Sequence, residues 1–146
     1  MPKKKSTKNT NEGTEKKRRN LKRNRTRGHD FERAIVTELK DLGYVGCVTS
    51  RSESKSMDDK KIDIIDTENK LPCHIQAKAT MNTPDYFGIE KSCPLKDKPF
   101  VIFWKKIKAT TSTFRSEGEV VILPKEFFYK LIQNYDEQLH SNISGE

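Results

Sequence analysis

Ile62-Asp63-Ile64-Ile65-Asp66 is the first of two apolar runs that decide the fold of this chain. The second is Leu71-Pro72-Cys73-His74-Ile75-Gln76-Ala77-Lys78, and the polar segment 67–70 separates them. Two β-branched runs around a polar turn favour an antiparallel hairpin. Side chains alternate along a strand, and residues opposite each other share a face. A loop of even length therefore places Asp63 on the same face as Gln76 and Lys78, whereas a slip of one residue would separate them.

The three side chains suit a hard cation next to a phosphate. Asp63 offers a charged oxygen and Gln76 a neutral amide oxygen, and Mg²⁺ prefers oxygen ligands while keeping several waters. Lys78 would orient or help to deprotonate a metal-bound water, or stabilise charge that develops on the phosphate. The alternative is an ordinary exposed strand face, because Gln-x-Lys is frequent by chance.

A helix is predicted upstream, from about His29 to Leu42. Its apolar residues recur at helical spacing and form a core stripe, and Gly43 fits a C-terminal stop; the stripe is Phe31, Ile35, Leu39 and Leu42. Glu32 lies beside this stripe. On the helix pattern taken by itself, Glu32 is an ordinary solvent-facing residue.

Taken together, these segments resemble the PD-(D/E)XK nuclease superfamily. The matching residues are Gly28-x-x-Phe31-Glu32 on a first helix, Asp63 on a strand and Gln76-x-Lys78 on the next strand. The Gln variant is similar to Mrr-type restriction nucleases, and the short length with Ser50-Arg51 is more similar to Holliday-junction resolvases. Ile62 stands where many members have Pro, and Gln76 replaces the usual acidic residue, which removes one negative charge from the metal site.

The resemblance implies a restriction-endonuclease-like α/β fold and a metal-dependent DNA endonuclease. Glu32, Asp63 and Gln76 would hold Mg²⁺, with Mn²⁺ as a substitute, and Lys78 would assist the water. Hydrolysis of the phosphodiester bond would leave phosphate and hydroxyl ends. The resemblance also implies branched or junction DNA as substrate and a homodimer, so that two sites meet two strands.

The positive charge is concentrated at the N-terminus. The chain of 146 residues has a net charge of +8, and residues 1–28 hold twelve Lys or Arg and two Glu, while the remaining 17 basic and 19 acidic residues nearly cancel. Segment 1–26 has almost no apolar side chains and is expected to be disordered without a partner. A basic block of this kind favours nucleic acid, with a solubilising or targeting tail as the alternative. The predicted contacts are Arg18, Arg19, Lys22, Arg23, Arg25 and Arg27, and the part from Arg18 to Arg27 is expected to extend the helix when nucleic acid is bound.

Further phosphate contacts are expected ahead of the Asp63 strand. A strand is predicted over 44–51, with Val45 and Val48 buried, and a polar loop over 52–60. Arg51 and Lys55 are the candidates here, since an arginine presents a two-pronged fork to phosphate. Asp58 and Asp59 either assist the metal or are simply solvated.

The rest of the chain completes an α/β domain. Thr83 and Pro84 predict the start of a short helix, and segment 100–104 is apolar on both faces and predicts a central strand. A polar connection over 105–118 and a strand over 119–123 follow. Pro124 opens a final helix whose apolar stripe should cover the sheet; the stripe is Phe127, Phe128, Leu131, Ile132 and Tyr135. The prediction is a mixed sheet of about five strands flanked by helices over 27–135, between the basic tail 1–26 and a polar C-terminal tail 136–146.

The cysteines and the hydropathy restrict the location of the protein. Cys47, Cys73 and Cys93 show no zinc-site spacing and are read as reduced thiols of an intracellular protein. No apolar run is long enough for a membrane span, and the basic clusters leave cytoplasm and nucleus open. Two other functions remain: a nucleic-acid-binding protein that keeps a nuclease fold without catalysis, and a restriction-like or repair nuclease that acts on duplexes.

Overall fold

The chain folds as an α/β protein with a mixed sheet of five strands. A computed structural model describes residues 9–53, 55–110 and 113–144, and excludes the side chains of residues 9–11, 55 and 57. The elements in chain order are α1 (Asn9–Asp41), β1 (Cys47–Thr49), α2 (Ser50–Glu53), α3 (Lys55–Asp59), β2 (Ile64–Asp66), β3 (His74–Thr80), α4 (Tyr86–Ser92), β4 (Phe100–Ala109), β5 (Phe114–Ile122) and α5 (Lys125–Ser144). The strands follow chain order across the sheet, and every neighbouring pair is antiparallel except β3 and β4, which are parallel.

The predicted hairpin is confirmed. β2 and β3 are antiparallel, with Ile64 opposite Ile75. Asp63, directly before β2, donates its N–H to the Ile75 carbonyl. β4 lies between β3 and β5, as its apolar character on both faces predicts. Neighbouring β4 residues Val101 and Ile102 belong to different buried clusters, so a core lies on each face of the sheet.

The first core forms where α1 packs on the sheet. Its predicted stripe is confirmed for Phe31, Ile35 and Leu39, which are buried against sheet residues that include Ile64, Ile75 and Val101. Leu42 does not join them: its predicted burial is wrong, since it is 75% exposed. The reason is the end of the helix at Asp41, where Gly43 takes a left-handed φ of 104° and the Tyr44 N–H donates to the Leu39 carbonyl, turning the chain away.

Several predicted boundaries differ from the structure. α1 begins at Asn9 rather than near His29, and the segment 52–60 forms α2 and α3 rather than an open loop, although residue 54 lies outside the described part. Val45 is 62% exposed rather than buried, because it precedes β1 in a turn. α4 begins at Tyr86, where the Asp85 carboxylate accepts a hydrogen bond from the Gly88 N–H and caps the helix in place of Thr83.

The polar connection predicted over 105–118 is wrong. β4 continues to Ala109 and β5 begins at Phe114, so the two strands form a long ribbon with its tip near Thr110 and Thr113. Cross-strand ion pairs stabilise this ribbon, with Lys106 Nζ 3.0 Å from the Glu117 carboxylate. Such pairs allow a ribbon of polar residues to form strands without burying an apolar face.

Most of α5 is exposed. Phe127 in its first turn is buried, but the remainder of the predicted stripe is exposed, so the prediction that the helix covers the sheet is wrong within a single chain. The exposed members are Phe128, Leu131, Ile132 and Tyr135, and Leu139 and Ile143 continue them. The helix runs on to Ser144, through most of the segment predicted to be a polar tail. Among the helices in the described ranges, none has the length and apolar character needed to cross a membrane.

Candidate active site

A cleft of about 320 Å³ opens at the edge of β3, beyond the point where β2 begins. Gln76 is in register with Ile102 and so points to the α4 side of the sheet, whereas Glu32 comes from α1 on the other side. β2 pairs with β3 only near Ile75, so the edge of β3 after Ile75 is not covered by β2. Side chains from both faces of the sheet meet at this uncovered edge. The predicted site residues that line it are Glu32, Arg51, Asp63, Gln76 and Lys78, together with Arg25 and Gly28 of α1.

Asp63 is fixed by hydrogen bonds to both neighbouring segments. Its N–H donates to the Ile75 carbonyl (2.9 Å), its carbonyl accepts from the Ser50 N–H (2.8 Å), and its carboxylate accepts from the Ala77 N–H (2.8 Å). The Ala77 N–H is a main-chain donor of β3 that has no β2 residue opposite it, and the Asp63 carboxylate supplies its acceptor. Lys61, with a left-handed φ of 65°, turns the chain into this position.

Burial controls the charge of Asp63. The side chain is almost fully buried, and desolvation raises the pKa of its carboxyl from 3.8 to about 6, against the effect of the Ala77 N–H. The Glu32 charge raises the pKa further, while the Lys78 charge lowers it. A divalent cation would favour the ionised carboxylate in the same way as Lys78 does, but with twice the charge.

Gln76 carries the clearest sign of a missing partner. The residue is 5% exposed, and its Oε1 is a buried acceptor with no hydrogen-bond partner in the described part of the chain. An unpartnered buried polar atom costs roughly 1–3 kcal/mol. Gln76 lines the same cleft as the carboxylates of Glu32 and Asp63, and an amide oxygen is a kind of ligand that Mg²⁺ accepts.

Glu32 is held by Arg51. The buried Glu32 carboxylate receives Nε of Arg51 at 3.2 Å and an Nη at 3.4 Å, so the predicted phosphate-binding fork is directed at the protein's own carboxylate. Burial raises the pKa of Glu32 and the Arg51 charge opposes that effect, which is expected for a buried acid that needs a compensating charge. Arg51 remains about half-exposed at the cleft mouth, and its contact with phosphate stays a prediction.

The other predicted contacts are distributed over α1. Arg25 lines the cleft, and Arg18 is exposed on the same helix. Arg19, Lys22, Arg23 and Arg27 line a different groove, on the other side of α1. The side chain of Lys55 lies outside the described residues, and Asp58 takes part through a hydrogen bond from the Ser50 hydroxyl at 3.5 Å and through its charge, which raises the pKa of Asp63.

The contacts of two residues near the site were not predicted from the sequence, although Ser50 belongs to the Ser50-Arg51 pair named in the resemblance. Ser50 is fully buried and ties the start of α2 to Asp63 through its N–H. His29 has a buried Nε2 without a hydrogen-bond partner among the described residues, and burial together with the Arg51 charge lowers its pKa. His29 lies on α1 and Ser50 begins α2, so the tertiary packing of separate segments brings them to the site.

The donor set fits a hard cation that keeps most of its waters. Within ranges 9–53, 55–110 and 113–144, no three His, Cys, Asp or Glu side chains gather as a metal-binding group. Glu32 and Asp63 would thus supply the charge and Gln76 a neutral oxygen. Magnesium often takes one or two carboxylates from a protein, so two carboxylates are sufficient in number. The set carries one negative charge fewer than a site with three carboxylates.

Comparison of the chain with family models, with curated proteins and with solved structures gives no significant match. The roles of the cleft residues therefore depend on their geometry and chemistry.

The raised pKa of Asp63 predicts a pH-dependent cost of folding. Between pH values of about 4 and 6 the folded chain keeps a proton that the unfolded chain has released, so the free energy of unfolding falls as the pH rises and the deficit persists above pH 6. Asp63→Asn removes this deficit, and its amide oxygen still accepts from the Ala77 N–H. In metal-free buffer we expect the variant to gain up to roughly 3 kcal/mol on wild type between pH 4 and pH 7.

Urea unfolding of both proteins across this pH range measures the effect. Asp59→Asn is the matched control, because Asp59 is an exposed acid of the same segment. Parallel pH profiles for wild type and Asp63→Asn would show that Asp63 ionises as freely in the folded chain as in the unfolded one.

Proposed function

We propose that this protein is a metal-dependent DNA endonuclease with a restriction-endonuclease-like fold, most similar to Holliday-junction resolvases. The observation that carries the proposal is the unpartnered, buried Oε1 of Gln76 in one cleft with the buried carboxylates of Glu32 and Asp63 and the ammonium group of Lys78. The mixed five-stranded sheet, with Asp63 directly before β2 and Gln76-x-Lys78 on the neighbouring β3, is consistent with that fold.

Each cleft residue has a role in this proposal. Asp63, Glu32 and Gln76 would hold Mg²⁺, which when bound would acidify a water and neutralise charge on the phosphate. Lys78 orients the attacking water and donates to the phosphoryl oxygen on which negative charge develops. A bond forms between the water oxygen and phosphorus while the bond to the leaving oxygen breaks, and the products carry phosphate and hydroxyl ends. Arg51, which already compensates the Glu32 charge, lies at the mouth where the DNA backbone enters.

DNA is the proposed polyanion. Arg25 reaches the cleft itself, and the other basic side chains of α1 extend the positive surface away from it: Arg18, Arg19, Lys22, Arg23 and Arg27. Lysine and arginine contacts to phosphates supply sequence-independent affinity that falls with salt. Branched DNA is the proposed structure because the resemblance to resolvases implies it.

A homodimer is proposed for the same reason, and the exposed face of α5 supports it. Phe128, Leu131, Ile132, Tyr135 and Leu139 recur at the spacing of one helical stripe, and each is at least 39% exposed. A helix stripe that pairs with its own copy about a two-fold axis buries itself on both chains. Exposed apolar patches of this kind mark interaction surfaces on soluble chains.

A second candidate is a DNA-binding protein without catalysis. The observation that favours it is the Arg51 fork on Glu32, because it compensates the buried acid without a metal, while Gln76 contributes no negative charge. Such a protein would bind DNA equally well with and without divalent cations. A nuclease for linear duplexes remains the third possibility.

Three cleft variants test the chemistry. We expect Lys78→Ala and Asp63→Asn each to abolish Mg²⁺-dependent strand cleavage while DNA binding persists, because Asp63 is a charged ligand and Lys78 acts on the chemical step. Gln76→Glu adds a charge to the site and is expected to tighten metal binding. The assay is cleavage of a four-way junction, a linear duplex and a single strand, with Mg²⁺, Mn²⁺ or EDTA.

The outcomes separate the candidates. Wild type that cuts none of these DNAs with either metal, or variants that cut as fast as wild type, would reject the nuclease assignment. Faster cleavage of the linear duplex than of the junction would favour the third candidate. Lys105→Ala is a control, because it removes a lysine from β4 that pairs with Glu119 outside the cleft.

The dimer has its own test. Leu131→Glu with Ile132→Lys places charges in the α5 stripe, and we expect it to convert the protein to a monomer in analytical ultracentrifugation with little loss of the free energy of unfolding of each chain. The control is Lys130→Glu with Gln133→Lys, two exposed positions of the same helix. A wild-type monomer at every accessible concentration would reject the dimer.

A further inference from the structure

A second basic groove lies on the opposite side of α1 from the cleft. At 3.6 residues per turn, Arg23 and Asp30 point roughly opposite to Arg25 and Glu32. The groove, of about 820 Å³, is formed between this face of α1 and the tip of the β4–β5 ribbon, where Thr110, Thr113 and Phe114 contribute. α1 thus separates the cleft from a groove lined by four basic side chains.

Arg27 rests on an aromatic ring of this groove. Its guanidinium carbon lies 4.2 Å from the centre of the Phe114 ring, so the ring restrains the side chain. A guanidinium group that rests on an aromatic ring keeps the N–H groups of its edge free to donate to a phosphate. Phe114 itself is 49% exposed, so its ring is accessible at the groove.

The charge balance of the groove favours an anion. Arg19, Lys22 and Arg23 lie along the same side of α1 as Arg27. Asp30 is the acidic residue among the groove's lining, and its carboxylate is already bound by Arg33 at 2.6 Å. Thr110 and Thr113 add hydroxyl groups at the ribbon tip, although they also hydrogen-bond each other.

We propose that this groove holds the sugar–phosphate backbone of the second strand of a DNA duplex whose first strand enters the cleft. The proposal rests on the DNA-binding part of the function proposed above. An α-helix with its side chains is about 10–12 Å across, and the major groove of B-form DNA is about 12 Å wide. α1 therefore fits between the two backbones that border a major groove, with Arg25 facing one of them and Arg27 the other. Phe114 is a positioning residue that holds Arg27 toward the second strand.

The experiment measures binding of the full chain to a short duplex and to one of its strands, in EDTA, so that cleavage does not contribute. Arg27→Ala is expected to weaken duplex binding roughly tenfold and to lower the log–log salt slope by about 0.9. Phe114→Leu keeps the charge and the apolar bulk but removes the ring, and is expected to weaken duplex binding by about threefold. Lys40→Ala, about 20 Å further along α1 than Arg27, removes the same charge from an exposed site and should change the affinity by less than twofold.

The single strand decides the assignment. One backbone that occupies the cleft does not also reach the opposite side of α1. The loss of single-strand affinity in Arg27→Ala and in Phe114→Leu should therefore be as small as the loss in Lys40→Ala. Equal or larger losses on the single strand, or duplex losses no greater than that of Lys40→Ala, would overturn the proposal. Wild type that binds duplex but cuts no DNA would reject the nuclease function and leave this test intact, and wild type that binds no DNA would reject both.

Discussion

The hydrogen bond from the Ala77 N–H to the Asp63 carboxylate joins the sheet to the cleft. β2 pairs with β3 near Ile64 and Ile75, and at Asp63 the preceding chain leaves the edge of β3. A main-chain donor of β3 is then without a strand partner, and the Asp63 side chain takes the place of that partner. The same bond keeps a buried carboxylate beside Gln76, so a structural requirement of the sheet and a chemical requirement of the site are met by one side chain.

The charges around Asp63 follow from this arrangement. Burial of Asp63 and Glu32 in one cleft is unfavourable without cations, and the chain supplies Arg51 against Glu32 and Lys78 near Asp63. Gln76 contributes an oxygen without adding to the repulsion, yet that oxygen has no donor from the described residues. A site with two acids, one amide and two bases is close to neutral before a metal enters. In the proposed metal site, affinity therefore depends on how easily the Arg51 guanidinium gives up its hydrogen bonds to the Glu32 carboxylate.

The sequence was sufficient for the parts of the fold that are governed by apolar periodicity. The β2–β3 hairpin, the buried stripe of α1 and the interior position of β4 follow from alternation or helical spacing. Elements that are stabilised by polar contacts could not be predicted from apolar periodicity. The N-terminal half of α1 has almost no apolar residues, and the β4–β5 ribbon depends on cross-strand pairs such as Lys106 with Glu117.

The site shows the same division. Strand alternation predicts that Asp63, Gln76 and Lys78 lie together, whereas Glu32 was expected in the site only from the nuclease resemblance, because the helix pattern by itself predicts a solvent-facing residue. The Arg51–Glu32 pair joins residues from distant segments and has no sequence signature, and Phe114 lies in a segment that reads as a polar connection. α5 differs again: its stripe is visible in the sequence, but whether such a stripe covers its own sheet or another chain is decided by the space available on the sheet.

The claim on which the account depends most is that the cleft binds a divalent cation, and a crystal structure with Mn²⁺ tests it most directly. The anomalous signal of manganese identifies its position independently of any activity. The account predicts a single strong peak in the cleft within bonding distance of the Asp63 carboxylate and of Gln76 Oε1, with Glu32 as a further ligand. A cleft without a peak at saturating Mn²⁺, with Arg51 still forked on Glu32 and Gln76 Oε1 still without a partner, would contradict it.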